Sequence, residues 1–134
     1  MKKTILLLCF LLVTLLLSGC VEKIPNDTKH LVEEMIDQVL SEETEENYCL
    51  KYNDYYDLNK LNENDKSLES RVISCEEHYQ YLKNLNLPKN MDQNYPIQWE
   101  EDEDERLVYF YYNDILVGIT SFGNPVFIEI QNNN

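Results

Sequence analysis

The chain of 134 residues contains no alanine, three glycines, two histidines and two arginines. Three glycines leave no room for a phosphate-cradling Gly-rich loop, and no Gly-x-Ser-x-Gly nucleophile elbow occurs. With His30 and His78 as the only imidazoles, neither beside a plausible nucleophile, little remains for acid–base or acyl-transfer chemistry. No catalytic residue and no cofactor motif is assigned. Basic residues are also scarce, 11 against 25 acids, for a formal charge of −14. A surface of this sign repels nucleic acid and anionic headgroups, so nucleic-acid binding is excluded; a cationic partner or bound metal cations remain open, and the commonest reading of such charge is solubility. Absent alanine beside fifteen asparagines suggests an AT-rich genome and carries no information on activity.

What is present begins with an address. Lys2 and Lys3 are followed by Ile5–Leu17, thirteen residues without charge and apolar except for Thr14. As a helix this run reaches about 20 Å, short of a hydrocarbon core of roughly 30 Å. A basic start, a short apolar run and small residues ahead of a cut site describe a signal peptide rather than a spanning helix. Leu17-Ser18-Gly19-Cys20 then resembles the lipobox of prokaryotic lipoproteins. The resemblance covers residues 1–20 and implies a diacylglyceryl thioether on Cys20, cleavage between Gly19 and Cys20, and a protein anchored at the extracytoplasmic face of a cell membrane. Two acyl chains hold a bilayer far more firmly than one. Removing residues 1–19 takes Lys2 and Lys3 and leaves nine basic residues against 25 acids, a formal charge of −16. The expected organisation is a signal peptide (1–19), a lipidated tether (20–27) reaching about 25 Å when extended, and one domain (28–134).

Within that domain, Leu31, Val32, Met35, Ile36, Val39 and Leu40 form one apolar stripe at helical spacing, so 28–41 is expected to be a helix capped by Asp27 or Thr28. Residues 41–47 read as a charged connector, 48–61 as ambiguous, and Asn62–Lys66 as a polar loop. A second helix is expected from Ser74, whose spacing to Glu77 is that of a capping box, to Pro88, with an earlier start near Leu68 left open. Leu107–Tyr112, Ile115–Ser121 and Val126–Ile130 are rich in β-branched and aromatic residues. Asn113-Asp114 and Phe122-Gly-Asn-Pro125 separate them as turns. They predict a three-strand antiparallel meander, with Ile97–Glu100 as a fourth strand. The fold class is therefore α+β, with N-terminal helices on one face of a C-terminal meander. NTF2-like and cystatin-like folds have similar layouts, an analogy that brings no residues with it. An uninterrupted register puts Val108, Phe110, Tyr112, Ile115, Val117, Ile119, Val126, Ile128 and Ile130 on the helix-covered face. Leu107, Tyr109, Tyr111, Leu116, Gly118, Thr120, Phe127 and Glu129 fall on the other.

Cys49 and Cys75 are expected to form a structural disulfide in an oxidising compartment. A redox-active pair is the alternative, since Cys75 would sit at a helix N-terminus. Cys75 and His78 have the spacing of half a zinc site but lack a second pair, and no metal is assigned. Glu100–Glu105, six consecutive acids, reads as a solvated connector into the first strand and lacks the spacing of a calcium loop. Tyrosine joins apolar area to a polar tip and suits contact surfaces, so Tyr109, Tyr111, Leu116 and Phe127 are the candidate binding surface. The leading functional expectation is a membrane-anchored, non-enzymatic binding module for an envelope protein or a cationic partner. A thiol-redox accessory or enzyme using Cys49 and Cys75, and a structural lipoprotein, are the alternatives.

Overall fold

The computed structural model describes residues 26–88 and 97–131. The expected signal peptide, Cys20 and the expected tether through residue 25 lie outside them. No described helix is long and apolar enough to cross a membrane.

The architecture is α+β, with the helices preceding an antiparallel sheet in the chain. Helix α1 covers residues 26–40 and buries Val32, Met35, Ile36 and Val39, the stripe expected from their spacing. The charged connector after it is shorter than expected. Thr44 accepts a hydrogen bond from the Asn47 amide at 3.2 Å and caps α2, Glu45–Tyr52, so Glu45 and Glu46 form a first helical turn favoured by the dipole. The ambiguous segment is thus a helix followed by 3₁₀ turns at Asn53–Tyr56 and Leu58–Lys60. The expected polar loop is a longer 3₁₀ segment, Glu63–Arg71, capped by Asn62. Helix α3, Cys75–Asn84, starts where its cap predicts, with Ser74 Oγ accepting from the Glu77 amide at 3.2 Å. It does not extend back to Leu68, because Val72 is bridged to Ile128 in extended conformation.

Four strands follow in the order β1 (Gln98–Asp102), β2 (Leu107–Tyr112), β3 (Ile115–Ser121) and β4 (Phe127–Ile128), all pairing antiparallel. The β2–β3 turn has Asn113 and Asp114 at φ 48° and 64°, the left-handed pair that a two-residue hairpin of this twist requires. The acidic run is only partly a connector. Glu100, Glu101 and Asp102 belong to β1, opposite Tyr109, Val108 and Leu107.

The register is interrupted by a bulge. Tyr112 pairs with Ile115 and Tyr111 with Leu116, but Phe110 pairs with Gly118, leaving Val117 as the extra residue of β3. Every β3 position beyond the bulge is therefore one residue out of the phase expected from an unbroken ladder. Ile119 pairs with Tyr109 and Ile128, not with the Phe110 side, while Thr120 pairs with Val108 and Phe127. The face expected to lie away from the helices thus surrenders Thr120 and Phe127 to the helix-covered side, and Ile119 and Ile128 move to the opposite face. Gly118 is required by this packing, since a Cβ there would stand 2.9 Å from Phe127 Cε1.

Two hydrophobic cores result. The larger lies between the helices and the inner sheet face and contains Met35, Tyr48, Tyr52, Leu82, Phe110, Val117 and Phe127 among others. The smaller lies on the outer face, where Leu68 of the 3₁₀ segment covers Leu107, Ile119 and Ile128. Arg71 and Ile73 join the cover to β4 through the bonds Glu129 N–H to Arg71 O and Ile73 N–H to Phe127 O.

Candidate functional site

Two of the places that gather polar groups bear on function: a buried network between α3 and the sheet, and the part of the outer face left open by the 3₁₀ cover. The buried network centres on His78. Its Nε2–H donates to the Val117 carbonyl at 2.8 Å, which fixes the tautomer, and Nδ1 accepts from the Tyr56 hydroxyl at 2.6 Å. Burial holds the His78 pKa down at about 4, the bond to Val117 working against that shift. Burial likewise pushes the Tyr56 hydroxyl far above its ordinary range. The ring is enclosed by Phe127 at 4.7 Å and Tyr56 at 5.7 Å between centroids. Both nitrogens are engaged and no face meets solvent, so His78 acts as a structural dipole rather than as an exchangeable acid or base.

The cysteines meet. Cys49 of α2 and Cys75 of α3 form a disulfide with a Cα separation of 5.7 Å, inside the range a bridge needs. Both residues are buried, Cys75 at 2% exposure. A thiol-exchange centre must present a sulfur to its partner, and this bridge presents none. The half zinc site is closed by the same facts, because the Cys75 sulfur is in the disulfide and His78 has no free nitrogen. No group of three or more potential ligands able to hold a metal occurs among the described residues.

The outer face differs. Along β2, Tyr109 and Tyr111 point outward and are half-buried, with Leu116 of β3 directly across from Tyr111. The ladder places Gln98 beside Tyr111, Glu100 beside Tyr109, and Asp102 beside Leu107 on this same face. An open hollow next to them is lined by Glu100, Glu101, Asp102, Glu103, Asp104 and Tyr109. Burial and then the acids, Glu105 and Asp102, raise the Tyr109 pKa, while the Arg71 charge lowers it. Burial and then Glu100 raise that of Tyr111. Tyr81 of α3 donates its hydroxyl to the Leu116 carbonyl at 2.6 Å, fixing the backbone beneath the platform.

Three of the four residues expected to form the binding surface, Tyr109, Tyr111 and Leu116, are thus brought together. Phe127 is not one of them. The bulge turns it inward, where it is 1% exposed in the larger core. The expected fourth strand, Ile97–Glu100, stops short of Asp102; sequence reasoning missed that β1 runs on and carries this second acid onto the face of Glu100, since Gln-Trp-Glu-Glu-Asp has no β-branched residue to signal a strand. It also missed Asp65, fully buried, whose carboxylate accepts from Arg106 Nε at 2.6 Å and from the Gly123 amide at 3.1 Å. Compared with known protein families, curated proteins and solved structures, the chain finds no match in any of the three.

Proposed function

We propose that the protein is an extracytoplasmic lipoprotein, anchored through Cys20, whose exported domain is a non-enzymatic interaction module for a cationic envelope protein. The observation that carries the binding part is the half-covered outer face of the sheet. The 3₁₀ segment seals Leu107, Ile119 and Ile128 but leaves Tyr109, Tyr111 and Leu116 half-buried beside the acids of β1. Tyrosine at a rim of one charge sign is a surface suited to contact, since it offers apolar area at low entropy cost. The lipobox supports the anchor, and a buried disulfide accords with an oxidising compartment. The inaccessible sulfurs favour this reading over a thiol-redox accessory.

Two experiments test it. Fatty-acid labelling of cells should mark the wild-type protein and not Cys20→Ala, and label on the variant would remove the anchor. A photoreactive side chain at Tyr111 should cross-link one defined envelope protein, whereas the same group at Leu50, exposed on α2 at 77%, should not. Equal yields from both positions would refute the assignment of the outer face.

A further inference from the structure

Strand β1 pairs with β2 along one edge, and no described strand pairs with the other. It is the terminal strand of the sheet, five residues long. Its opposite number at the far end, β4, is only two residues long and its flank is bridged by Val72. Among the described residues, β1 is therefore the one edge of useful length that no strand pairs. That edge is acidic on both of its faces, because Glu100 and Asp102 alternate with Glu101, and Glu103, Asp104 and Glu105 continue the charge around the turn. Trp99 provides the single apolar position toward the middle of the strand. It packs half-buried against the larger core, with the Lys29 ammonium 6.0 Å from its ring centroid.

We infer that the free edge of β1 is a docking strand for an extended, lysine- or arginine-bearing segment of a partner protein, added to the sheet as a fifth strand. The inference rests on the interaction-module reading and specifies how such a module would hold its partner. An unpaired strand edge offers a row of backbone donors and acceptors that an incoming chain can complete. Side chains directly opposite one another across such a junction select for opposite charge. Glu100, Glu101 and Asp102 require cations from the incoming strand on both faces, which an acidic or neutral segment cannot supply. The segment's outward side chains would then continue the surface of Tyr109 and Tyr111, one strand further from the 3₁₀ cover.

The chain's only tryptophan lies in this strand, so its fluorescence reports occupancy directly. The probe is a short peptide with three consecutive lysines flanked by valines, which presents cations on both faces of an added strand, added to the full exported protein. We expect a Trp99 emission shift on titration and slowed hydrogen exchange confined to residues 98–102. N-methylation of alternate peptide nitrogens, which removes donors along one edge and keeps the charge, should abolish both. A glutamate–valine peptide should produce neither. The combined variant Glu100→Gln, Glu101→Gln, Asp102→Asn should bind roughly tenfold or more weakly, having lost three opposite-charge cross-strand pairs. Absence of slowed exchange with the lysine peptide would assign these acids to guarding an open edge against aggregation and overturn the inference. Undiminished binding of the N-methylated peptide would also overturn it, reducing the contact to charge alone. The two readings fail separately. Cross-linking from Tyr111 without protection of β1 retains the module and discards the added strand. Protection of β1 that survives Tyr109→Ser with Tyr111→Ser retains the strand and discards the tyrosine surface.

Discussion

His78 Nε2 donates its proton to the carbonyl of Val117, the one residue of β3 that has no partner across β2. A bulge frees backbone groups from the ladder, and burial makes an unanswered carbonyl costly. Helix α3 supplies the answer from one face, through His78 to Val117 and Tyr81 to Leu116, residues three apart on the helix. The irregularity in the sheet and the docking of the helix are one arrangement.

This arrangement makes stability depend on pH. The folded pKa of His78 lies at about 4, below its ordinary value of 6.5, so the unfolded chain binds the proton more tightly. The contribution is fully present above pH 6.5 and is lost as pH falls from there through about 4. Its size is about 3 kcal/mol, taking 1.36 kcal/mol per pKa unit. Urea midpoints measured across that window should fall more steeply for the wild type than for His78→Gln. Parallel curves would remove His78 as the cause.

Beyond the bulge, the inner face holds Thr120 as well as Val117, both at 1% exposure. Val117→Asp and Thr120→Asp should therefore each cost several kcal/mol, since each buries an unpaired carboxylate. Glu101→Asn, on an exposed edge position, should stay within about 0.5 kcal/mol. Melting temperatures of the three variants decide this. A mild Thr120→Asp would restore the unbroken register.

The difference between those two registers shows how far local pattern reaches. Apolar spacing located α1, the Ser74 cap located α3, and Asn113-Asp114 located the hairpin, because each signal lies within one element. The bulge has no such signal. Val117 and its neighbours read as uninterrupted alternation, and only the fit of Phe127 over Gly118 and of His78 onto the freed carbonyl distinguishes the two phases. The same holds for Tyr109, Tyr111 and Leu116. Their common face follows from period-two alternation up to the bulge, whereas the inward turn of Phe127 depends on packing across three strands.

The Cys49–Cys75 bridge closes a separation of 26 residues, for which chain entropy gives about 3.5 kcal/mol at most. It also ties α2, whose Tyr48 and Tyr52 rings fill the larger core, to α3. Changing both cysteines to serine should lower stability by about 2–3.5 kcal/mol. Native protein should take up no thiol reagent at these positions until it is reduced. Uptake of two equivalents without reduction would contradict the bond.

Asp65 joins three segments distant in sequence. Its own amide is held by Asn62 Oδ1, one carboxylate oxygen accepts from Arg106 of the β1–β2 turn, and the other accepts from the Gly123 amide in the β3–β4 loop. Asn124 adds a bond from its side-chain amide to the Lys60 carbonyl. Arg106 sits at φ 57° with its guanidinium 5.5 Å from the Phe122 ring, so the backbone and the side chain both depend on this corner. Asp65→Ala leaves the Gly123 amide without its acceptor, while Arg106, partly exposed, can turn to water. The expected cost is therefore below that of breaking a fully buried pair, about 2–3 kcal/mol. Asp65→Asn keeps an acceptor for one of the two donors and should cost less. The corner anchors the 3₁₀ segment that carries Leu68 over the smaller core, so loosening it should expose Leu107, Ile119 and Ile128 before the larger core opens. Hydrogen exchange of Asp65→Ala should accelerate in residues 63–71 and 119–128 while 75–84 stays protected. Uniform acceleration through α3 would show instead that the two cores unfold as one.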